Sequence, residues 1–375
     1  MGRENKMPPN ATTTVNENEP IINVFENTAT GVLSEQEAET IDGGLAKNIE
    51  KCKKAEERKL EIVWINVIGF VYVYGASFYG IYLMCTSAKW QTNIMGTLLT
   101  YITGFGITAA AHRLWAHRAY KANLPMRIML IIFNTIAFQN SVYVWARDHR
   151  VHHKFSETDA DPHNATRGMF FSHIGWLMCK KHPEVKAKGK TIDMSDLEAD
   201  PIVMFQHKYY YFLMPIACFI LPAIAPMYLF NETLSNSWHI CVMLRWCFLL
   251  NSAWLINSAG HKYGSRPYDK SYNPAENSFI AFLTLGEGWH NYHHVFPWDY
   301  KTSELGDYAF NYTTAFLDFF AKIGWAYDLK TVSDEIIKKR VQRTGDGSHP
   351  IWGWGDKDQS KDEIDAAIIV NKKAE

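Results

Sequence analysis

Long apolar runs, separated by polar stretches, dominate the middle of this 375-residue chain. Four of these runs carry almost no charged residue, and a helix that rises about 1.5 Å per residue needs roughly 20 such residues to cross a hydrocarbon core of about 30 Å. The runs cover residues 62–84, 94–111, 209–230 and 238–259. The pattern therefore predicts an all-α integral membrane protein with four transmembrane helices.

Two features depart from this regular pattern. The apolar stretch from Ile128 to Val142 is shorter and is interrupted by Asn134, Gln139 and Asn140, so we expect an interfacial or re-entrant helix rather than a fifth span. Arg245 lies inside the fourth run. Because a charge is costly within the bilayer, we expect its side chain to face protein or to reach toward the interface, and such a residue can also belong to a substrate or ion pathway.

Polar segments lie on both sides of the apolar region. Residues 1–50 are rich in Asn, Thr, Glu and Gly without apolar periodicity, which predicts a disordered arm. Residues 346–375 are charged and predict a polar tail, so the folded domain should cover residues 51–345.

The distribution of basic residues predicts the orientation in the membrane. Residues 51–59 before the first run are strongly basic, whereas the short connections 85–93 and 231–237 contain one basic residue and none. Cytoplasmic flanks tend to carry Lys and Arg. We therefore expect both termini, the polar loop 147–207 and the segment after the fourth run to be cytosolic, which brings them to one side of the membrane.

The overall composition argues mainly against two other classes of protein, those that bind nucleic acid and those held together by disulfides. A net charge of −1 gives no reason to expect nucleic acid as a partner. The six cysteines show no paired spacing, which argues against a disulfide framework. The mean hydropathy of −0.20 averages polar ends with apolar runs, and so it hides the membrane segments.

Histidines concentrate in three clusters, all of them in the segments predicted to be cytosolic or at the ends of spans. The first cluster is His112 and His117, and His261 stands apart from all three. The second cluster (His149, His152, His153) and the third (His290, His293, His294) share the spacing i, i+3, i+4, which places three imidazoles on one helix face, where they could hold one metal ion. Imidazole suits iron, zinc or copper, and no cysteine lies in the clusters. The number of imidazoles exceeds the needs of one ion, so we predict two metal ions in a shared site, with a redox metal favoured.

The remaining polar candidates have simpler interpretations. Five isolated histidines are expected to be packing residues, namely His173, His182, His207, His239 and His349. Carboxylates often orient ligating imidazoles, and surface salt bridges are the equal alternative for the four candidates, Asp148, Asp161, Asp269 and Glu287. A pair of histidine-bound irons at a membrane surface would suit O2-dependent attack on an unreactive C–H bond of an apolar substrate.

Four motifs carry a family resemblance. They are Gly106–His117 (GITAAAHRLWAH), Trp145–Thr158 (WARDHRVHHKFSET), Asn257–His261 (NSAGH) and Gly286–His294 (GEGWHNYHH). With them, residues from about 50 to 345 resemble the animal acyl-CoA desaturases of the stearoyl-CoA desaturase family, and most of all the insect, moth-type branch.

The resemblance implies a four-span protein of the endoplasmic reticulum membrane, with a helical cytosolic cap that holds two irons. The implied metal ligands are His112, His117, His149, His152, His153, His261, His290, His293 and His294, with Asn257 acting through a water molecule. The implied contacts to the acyl-CoA are Asn66, Gln139, Arg147, Asp148, Lys180, Lys181 and Trp254.

The same resemblance implies an activity and its partners. With O2 as co-substrate, such an enzyme converts a long-chain fatty acyl-CoA to a cis-alkenyl acyl-CoA within a narrow tunnel. The chain has no His-Pro-Gly-Gly motif of a fused cytochrome b5, so a separate cytochrome b5 and an NADH-dependent reductase are the implied electron donors.

Regiospecificity stays open between Δ9 and Δ11, and with it a role in general lipid or pheromone biosynthesis. Asn273–Glu276 resembles the subgroup motif of Δ9 enzymes, but several positions depart from the common family pattern. Ile65, Ser141 and Val144 affect expected acyl-CoA contacts, whereas Gly260 and Trp289 adjoin expected metal ligands.

Two other functions remain as alternatives. One is a membrane di-iron hydroxylase or sphingolipid desaturase, and the other is a non-enzymatic membrane metal-binding protein.

Overall fold

The computed structural model describes residues 60–304, 308, 310–349 and 365–366. The predicted N-terminal arm, residues 1–50, lies outside the described residues, and so does most of the predicted tail, residues 346–375.

Four long helices match the four predicted spans. They are Trp64–Thr86, Trp90–Ala116, Pro201–Phe230 and Leu234–His261, which we call the first to fourth spans. The prediction of an all-α protein with four candidate membrane helices is confirmed. The first helix is displaced by two residues from its apolar run, and the other three helices are longer than their runs. They are longer because backbone hydrogen bonding continues past the point where the side chains become polar. As a result, the second span includes His112 and the fourth ends at His261.

Three of the spans contain segments with i→i+5 hydrogen bonding. These segments are Gly106–Ala116, Pro215–Ile220 and Trp238–Leu244. In the third span the widened segment begins at Pro215, where the ring removes a donor and the helix must adjust. The π-helical end of the second span has a direct role in the metal centre described below.

Close contacts between spans explain two glycines. At Gly80 of the first span a side chain would collide with the main chain of His239, so glycine permits the close approach of the first and fourth spans. At Gly106 a side chain would collide with the main chain of Phe133, where the second span crosses the next helix.

Arg245 is buried between helices, with 2% of its surface exposed. Its guanidinium donates hydrogen bonds to the main-chain carbonyls of Cys241, Ile136 and Cys218, at 2.9, 3.1 and 3.1 Å. The prediction that this arginine faces protein is confirmed. Main-chain oxygens satisfy the charged group at the centre of the bundle.

The stretch from Ile128 to Val142 is divided between two helices, Leu124–Ala137 and Val142–Lys154, which meet at 81°. The first has an exposed apolar stripe of Leu124, Ile128 and Ile132, as expected for an interfacial helix. One of the interrupting polar residues, Asn134, is buried and donates to the carbonyl of Gly106 at 3.2 Å. The bend directs the second helix, which carries the second histidine cluster, away from the apolar layer.

Shorter elements build the cap around the histidine-bearing ends of the spans. The helices and turns are Ala165–Arg167, Phe171–Gly175, Trp176–Met178, Pro183–Gly189, Ser195–Glu198, Ser278–Leu283, His290–Val295, Tyr312–Lys322 and Asp334–Thr344. Two short strands, Lys121–Ala122 and Ala326–Tyr327, pair antiparallel.

The two short connections between spans lie together at the other end of the bundle. Lys89 Nζ donates to the carbonyls of Phe230 and Asn231, at 2.7 and 2.8 Å. Both connections thus lie at the end of the spans opposite the histidines.

Candidate metal centre and substrate cavity

The histidine-bearing elements converge so that nine imidazoles form two adjacent groups. The five-histidine site consists of His112, His117, His149, His153 and His293. The four-histidine site consists of His152, His261, His290 and His294. Within each group the potential ligand atoms lie within 4.8 Å of one another, close enough to surround one metal ion.

The second and third clusters each contribute to both sites, which corrects the expectation that one cluster would hold one ion. Residues four apart on a helix differ by about 40° around the axis, whereas positions i+3 and i+4 differ by about 100°. His149 and His153 therefore point to one site and His152 to the other. The third cluster divides in the same way, since His290 and His294 share a site and His293 joins the opposite one.

The first cluster depends on the π-helical end of the second span. His112 and His117 are five positions apart, a spacing that would send them to different faces of an α-helix. The main-chain N–H of His117 donates to the carbonyl of His112 at 3.0 Å, an i→i+5 bond. This wider turn brings the two ring centroids to 4.8 Å, so that both imidazoles enter the five-histidine site.

The ring nitrogens point inward within both sites. His112 Nε2 lies 3.0 Å from His293 Nε2, and His117 Nε2 lies 2.8 Å from His149 Nε2. In the four-histidine site, His290 Nε2 lies 3.1 Å from that of His261. The buried Nε2 of His152 has no hydrogen-bond partner among the described residues. Buried polar atoms are normally satisfied, so these convergent and unpaired nitrogens fit metal ions as their partners.

The charge state of the rings also suits metal binding. Burial lowers the pKa of His117, His149 and His153 well below the usual value of an imidazole, and neighbouring rings lower it further. The same cause lowers the pKa of all three histidines of the third cluster. These rings are neutral at pH 7 and have a free lone pair, which is the form that binds a metal.

Buried carboxylates orient one histidine in each site. His112 Nδ1 lies 2.9 Å from Glu287 Oε2, and His152 Nδ1 lies 3.0 Å from Asp161 Oδ1. Burial opposes ionisation of Glu287, but the adjacent Arg113 and His112 lower its pKa to about 2. Both carboxylates fix the Nδ1 proton, which leaves Nε2 directed at the site.

The other two carboxylate candidates form ion pairs instead. Asp148 accepts from Arg147 at 2.8 Å and also pairs with Lys181, while Asp269 pairs with Arg340. The salt-bridge alternative is thus the correct one for Asp148 and Asp269. The five isolated histidines lie outside both sites; His173, for example, bonds Ser258 and Asn251.

Sequence reasoning did not single out two residues of the metal centre. Glu157 Oε1 lies 3.4 Å from His261 Nδ1, and its main-chain N–H donates to Asp161 Oδ2 at 2.9 Å. The buried His163 ring lies 4.4 Å from that of His152, and its Nδ1 is 3.4 Å from Asp161. Their proximity to Asp161 along the chain, immediately after the second cluster, was the available signal.

A largely apolar cavity of about 1030 Å³ passes beside the metal centre and continues between the spans. Its lining includes Asn66 and Asp148 and members of both histidine sites, among them His112 and His290. It also includes Gly96, and Met84 and Asn93 at the end of the spans next to the short connection 85–93. An elongated apolar molecule could therefore lie between the spans with part of its length beside the histidines.

Most of the predicted substrate contacts line this cavity. Asn66, Gln139, Asp148 and Trp254 do so, as does Asn257, the predicted water-mediated ligand. Gln139 Nε2 is buried without a hydrogen-bond partner among the described residues, so it is available to a polar group in the cavity. Arg147, Lys180 and Lys181 do not line it; they form ion pairs with Asp148 and Glu61 near its cap end.

Two of the sequence departures can be located with respect to the site. Ile65 lines the cavity and is 74% exposed, so it contributes an apolar surface at the opening. A Cβ at Gly260 would lie 3.9 Å from His290 Cδ2, which is ordinary contact. An alanine would therefore fit there without displacing the ring.

Comparison with known proteins agrees with this geometry. The fatty acid desaturase family matches residues 88–322. An acyl-CoA Delta-9 desaturase of Acheta domesticus is 58% identical over 352 residues, which are 94% of this chain and 97% of that protein. An acyl-CoA Delta12-desaturase of the same species is 57% identical over 356 residues, 93% of this chain and 99% of that protein.

An acyl-CoA Delta(11) desaturase of Choristoneura rosaceana is 57% identical over 315 residues, 83% of this chain and 94% of that protein. Relatives named for three double-bond positions are thus almost equally similar to this chain, so identity does not decide between these positions. The resemblance to insect acyl-CoA desaturases predicted from the motifs is confirmed: the chain belongs to the fatty acid desaturase family.

Proposed function

We propose that the protein is a multi-pass membrane oxidoreductase that introduces a cis double bond into the chain of a long-chain fatty acyl-CoA. The observation that carries this proposal is the apolar cavity that is lined by members of both histidine sites. The reaction balances as R–CH2–CH2–R′ + O2 + 2 electrons + 2 protons → R–CH=CH–R′ + 2 H2O. Saturated chains are the expected substrates, and a chain that already has a double bond would fit the same cavity.

Two irons are the proposed metal ions, one in the five-histidine site and one in the four-histidine site, with Asn257 near the second through a water molecule. When bound, they would supply the activation of O2 that C–H cleavage requires. The nine convergent imidazoles without a thiolate support this assignment. Glu287 and Asp161 would keep their histidines in the orientation that directs Nε2 to the metal.

The rest of the site would position the substrate. The unpaired Gln139 amide would donate to the thioester carbonyl, while Trp254, buried against Phe70, forms a rigid wall for the chain. The ion pairs of Arg147, Lys180 and Lys181 near the opening could exchange partners with the phosphates of CoA. Chain position in the cavity would then select which two methylenes react, since only groups at near-attack distance do so.

The reaction needs an external electron source. A separate cytochrome b5 with its NADH-dependent reductase is the proposed donor system, and the endoplasmic reticulum membrane is the proposed location, with both termini cytosolic. The separation of the histidines from the two short connections, at opposite ends of the spans, supports an active site on the cytosolic side.

Expression in a yeast that lacks its own Δ9 desaturase tests the proposal. Mass spectrometry of derivatised fatty acids should locate one new double bond, at Δ9, Δ11 or another position, and His290→Ala should abolish it. A hydroxylated product would favour the hydroxylase alternative. Absence of product with iron-loaded protein and cytochrome b5 present would contradict a desaturase function for the chains supplied.

A further inference from the structure

A second, smaller cavity reaches the metal centre from another direction. It has a volume of about 370 Å³ and is lined by Ser258, His261, Lys262, Arg266 and Asn273, together with the turn that includes Gly168. His261 belongs to the four-histidine site but does not line the large cavity. The small cavity therefore provides an approach to the metal centre that an acyl chain in the large cavity would leave open.

Hydrogen bonds connect the wall of the small cavity to the histidine ring. The side-chain amide of Asn273 donates to one oxygen of Glu157, and the other oxygen of Glu157 lies 3.4 Å from His261 Nδ1. His261 Nε2 in turn lies 3.1 Å from His290 Nε2. The surface at this cavity is thus joined to the interior of the site by a short, continuous chain of contacts.

The rim of the small cavity is basic. Lys262 and Arg266 line it, and Arg167 belongs to the adjoining turn Ala165–Arg167, where its guanidinium lies 3.7 Å from the Phe171 ring. Among the described residues, none of these three side chains has a carboxylate at ion-pair distance. The Arg266 guanidinium donates to the main-chain carbonyls of Tyr272 and Asn273, and Asp346 accepts from the main-chain N–H of Arg266. Exposed Tyr263 and Tyr272 neighbour these cations, and tyrosine and arginine are enriched at protein interfaces.

We propose that this surface, formed by Arg167, Lys262 and Arg266 around the small cavity, is the docking site of an acidic protein that donates electrons to the metal centre through His261. This inference rests on the proposed function, which requires an electron donor. Each encounter with the donor would deliver one electron. Two successive encounters would therefore supply the two electrons that the balanced reaction requires. Donor and acyl-CoA could then bind at the same time, because they occupy different cavities.

Charge reversal at the rim tests the proposal by binding as well as by turnover. With metal-loaded protein and the soluble haem domain of cytochrome b5, Lys262→Glu and Arg167→Glu should each slow association and raise Kd by about tenfold at low salt. Their salt dependence should also become weaker. Lys262→Arg should behave as the natural protein, and so should the control Lys322→Glu, which makes the same charge change on another helix.

A chemically reduced single turnover separates this proposal from the proposed function. Both reversal variants should form alkene in normal amounts once reduced without the donor. An unchanged Kd in both, or equal weakening in Lys322→Glu, would overturn the docking site. If donor binding is unchanged but binding to vesicles of anionic phospholipid is lost, the surface contacts lipid headgroups instead. A natural protein that gives no alkene after chemical reduction would contradict the proposed function itself.

Discussion

His112 Nδ1 lies 2.9 Å from Glu287 Oε2, and the two side chains are 6% and 5% exposed. The other carboxylate oxygen accepts from Arg113 at 2.9 Å. Arg113 is fully buried and also donates to the Tyr300 carbonyl at 2.8 Å. One carboxylate thus joins an imidazole of the five-histidine site to a buried charge at the end of the second span.

Replacing Glu287 should weaken metal binding without removing a ligand. Glu287→Gln takes away the negative charge that orients His112 and that balances Arg113, so we expect metal affinity or activity to fall by about 10- to 100-fold. Iron content after dialysis against a chelator measures the effect. Glu335→Gln, at an exposed pair with Lys339, is the control. Equal iron retention in both variants would show that Glu287 does not support the site.

The division of the histidines predicts selective loss of one metal ion. His149→Ala should weaken iron binding in the five-histidine site and His290→Ala in the four-histidine site, each lowering the iron content from about two toward about one per protein. His239→Ala, on a half-buried histidine outside both sites that is bonded to the Ser235 carbonyl, should retain both. Elemental analysis with Mössbauer spectroscopy would distinguish the two single-site proteins. Identical spectra from both variants would contradict two separate sites.

A side chain at Gly96 should shorten the acyl chain that the enzyme accepts. Gly96 lines the far part of the large cavity, and even a Cβ there would lie 3.2 Å from Ile240. Gly96→Leu should therefore reduce kcat/KM for the longest chains about tenfold relative to shorter ones. Gly75→Leu introduces the same side chain at a first-span glycine with nothing within 4 Å. The chain lengths of the products are measured for both variants. If Gly96→Leu and Gly75→Leu give the same distribution of chain lengths, the acyl chain does not lie beside Gly96.

Stability in acid should depend on Asp196. Partial burial opposes its ionisation, but hydrogen bonds from Arg150 and Arg118 lower its pKa to about 2. Because the folded pKa is below the unfolded one, its contribution is present above about pH 4 and is lost as pH falls toward 2. Asp196→Asn should destabilise the protein by about 1 kcal/mol at pH 7, discounted for solvent exposure, and by almost nothing at pH 2. Denaturation at several pH values checks this; a constant difference would contradict it.

Local rules predicted the spans and the histidines that would gather. Apolar runs of sufficient length identify candidate membrane helices, and repeated i, i+3, i+4 histidines identify residues that gather at a metal centre. The same rules could not predict how His152 separates from His149 and His153, because that depends on where a second metal centre lies in space. The five-residue spacing of His112 and His117 was equally uninformative without the π-helical turn.

Most of the contacts that the sequence did not predict join residues that are far apart along the chain. Glu157 contacts His261, which is 104 positions away, so local spacing does not reveal this partner. Asp148 and Asp161 are chemically alike and 13 positions apart, yet one meets lysine and the other histidine. Which partner each carboxylate meets depends on how distant helices and loops pack together, and local sequence patterns do not predict that packing.

The buried Arg245 has a consequence for how the protein is made. An arginine at the centre of a membrane helix costs about 2.5 to 3.5 kcal/mol on insertion. Two of the carbonyls that offset this cost belong to Ile136 and Cys218, outside the fourth span. Both are synthesised before Arg245. The fourth span can therefore enter the bilayer at low cost only beside elements already present, so its insertion and its assembly with them should be one coupled step during biosynthesis.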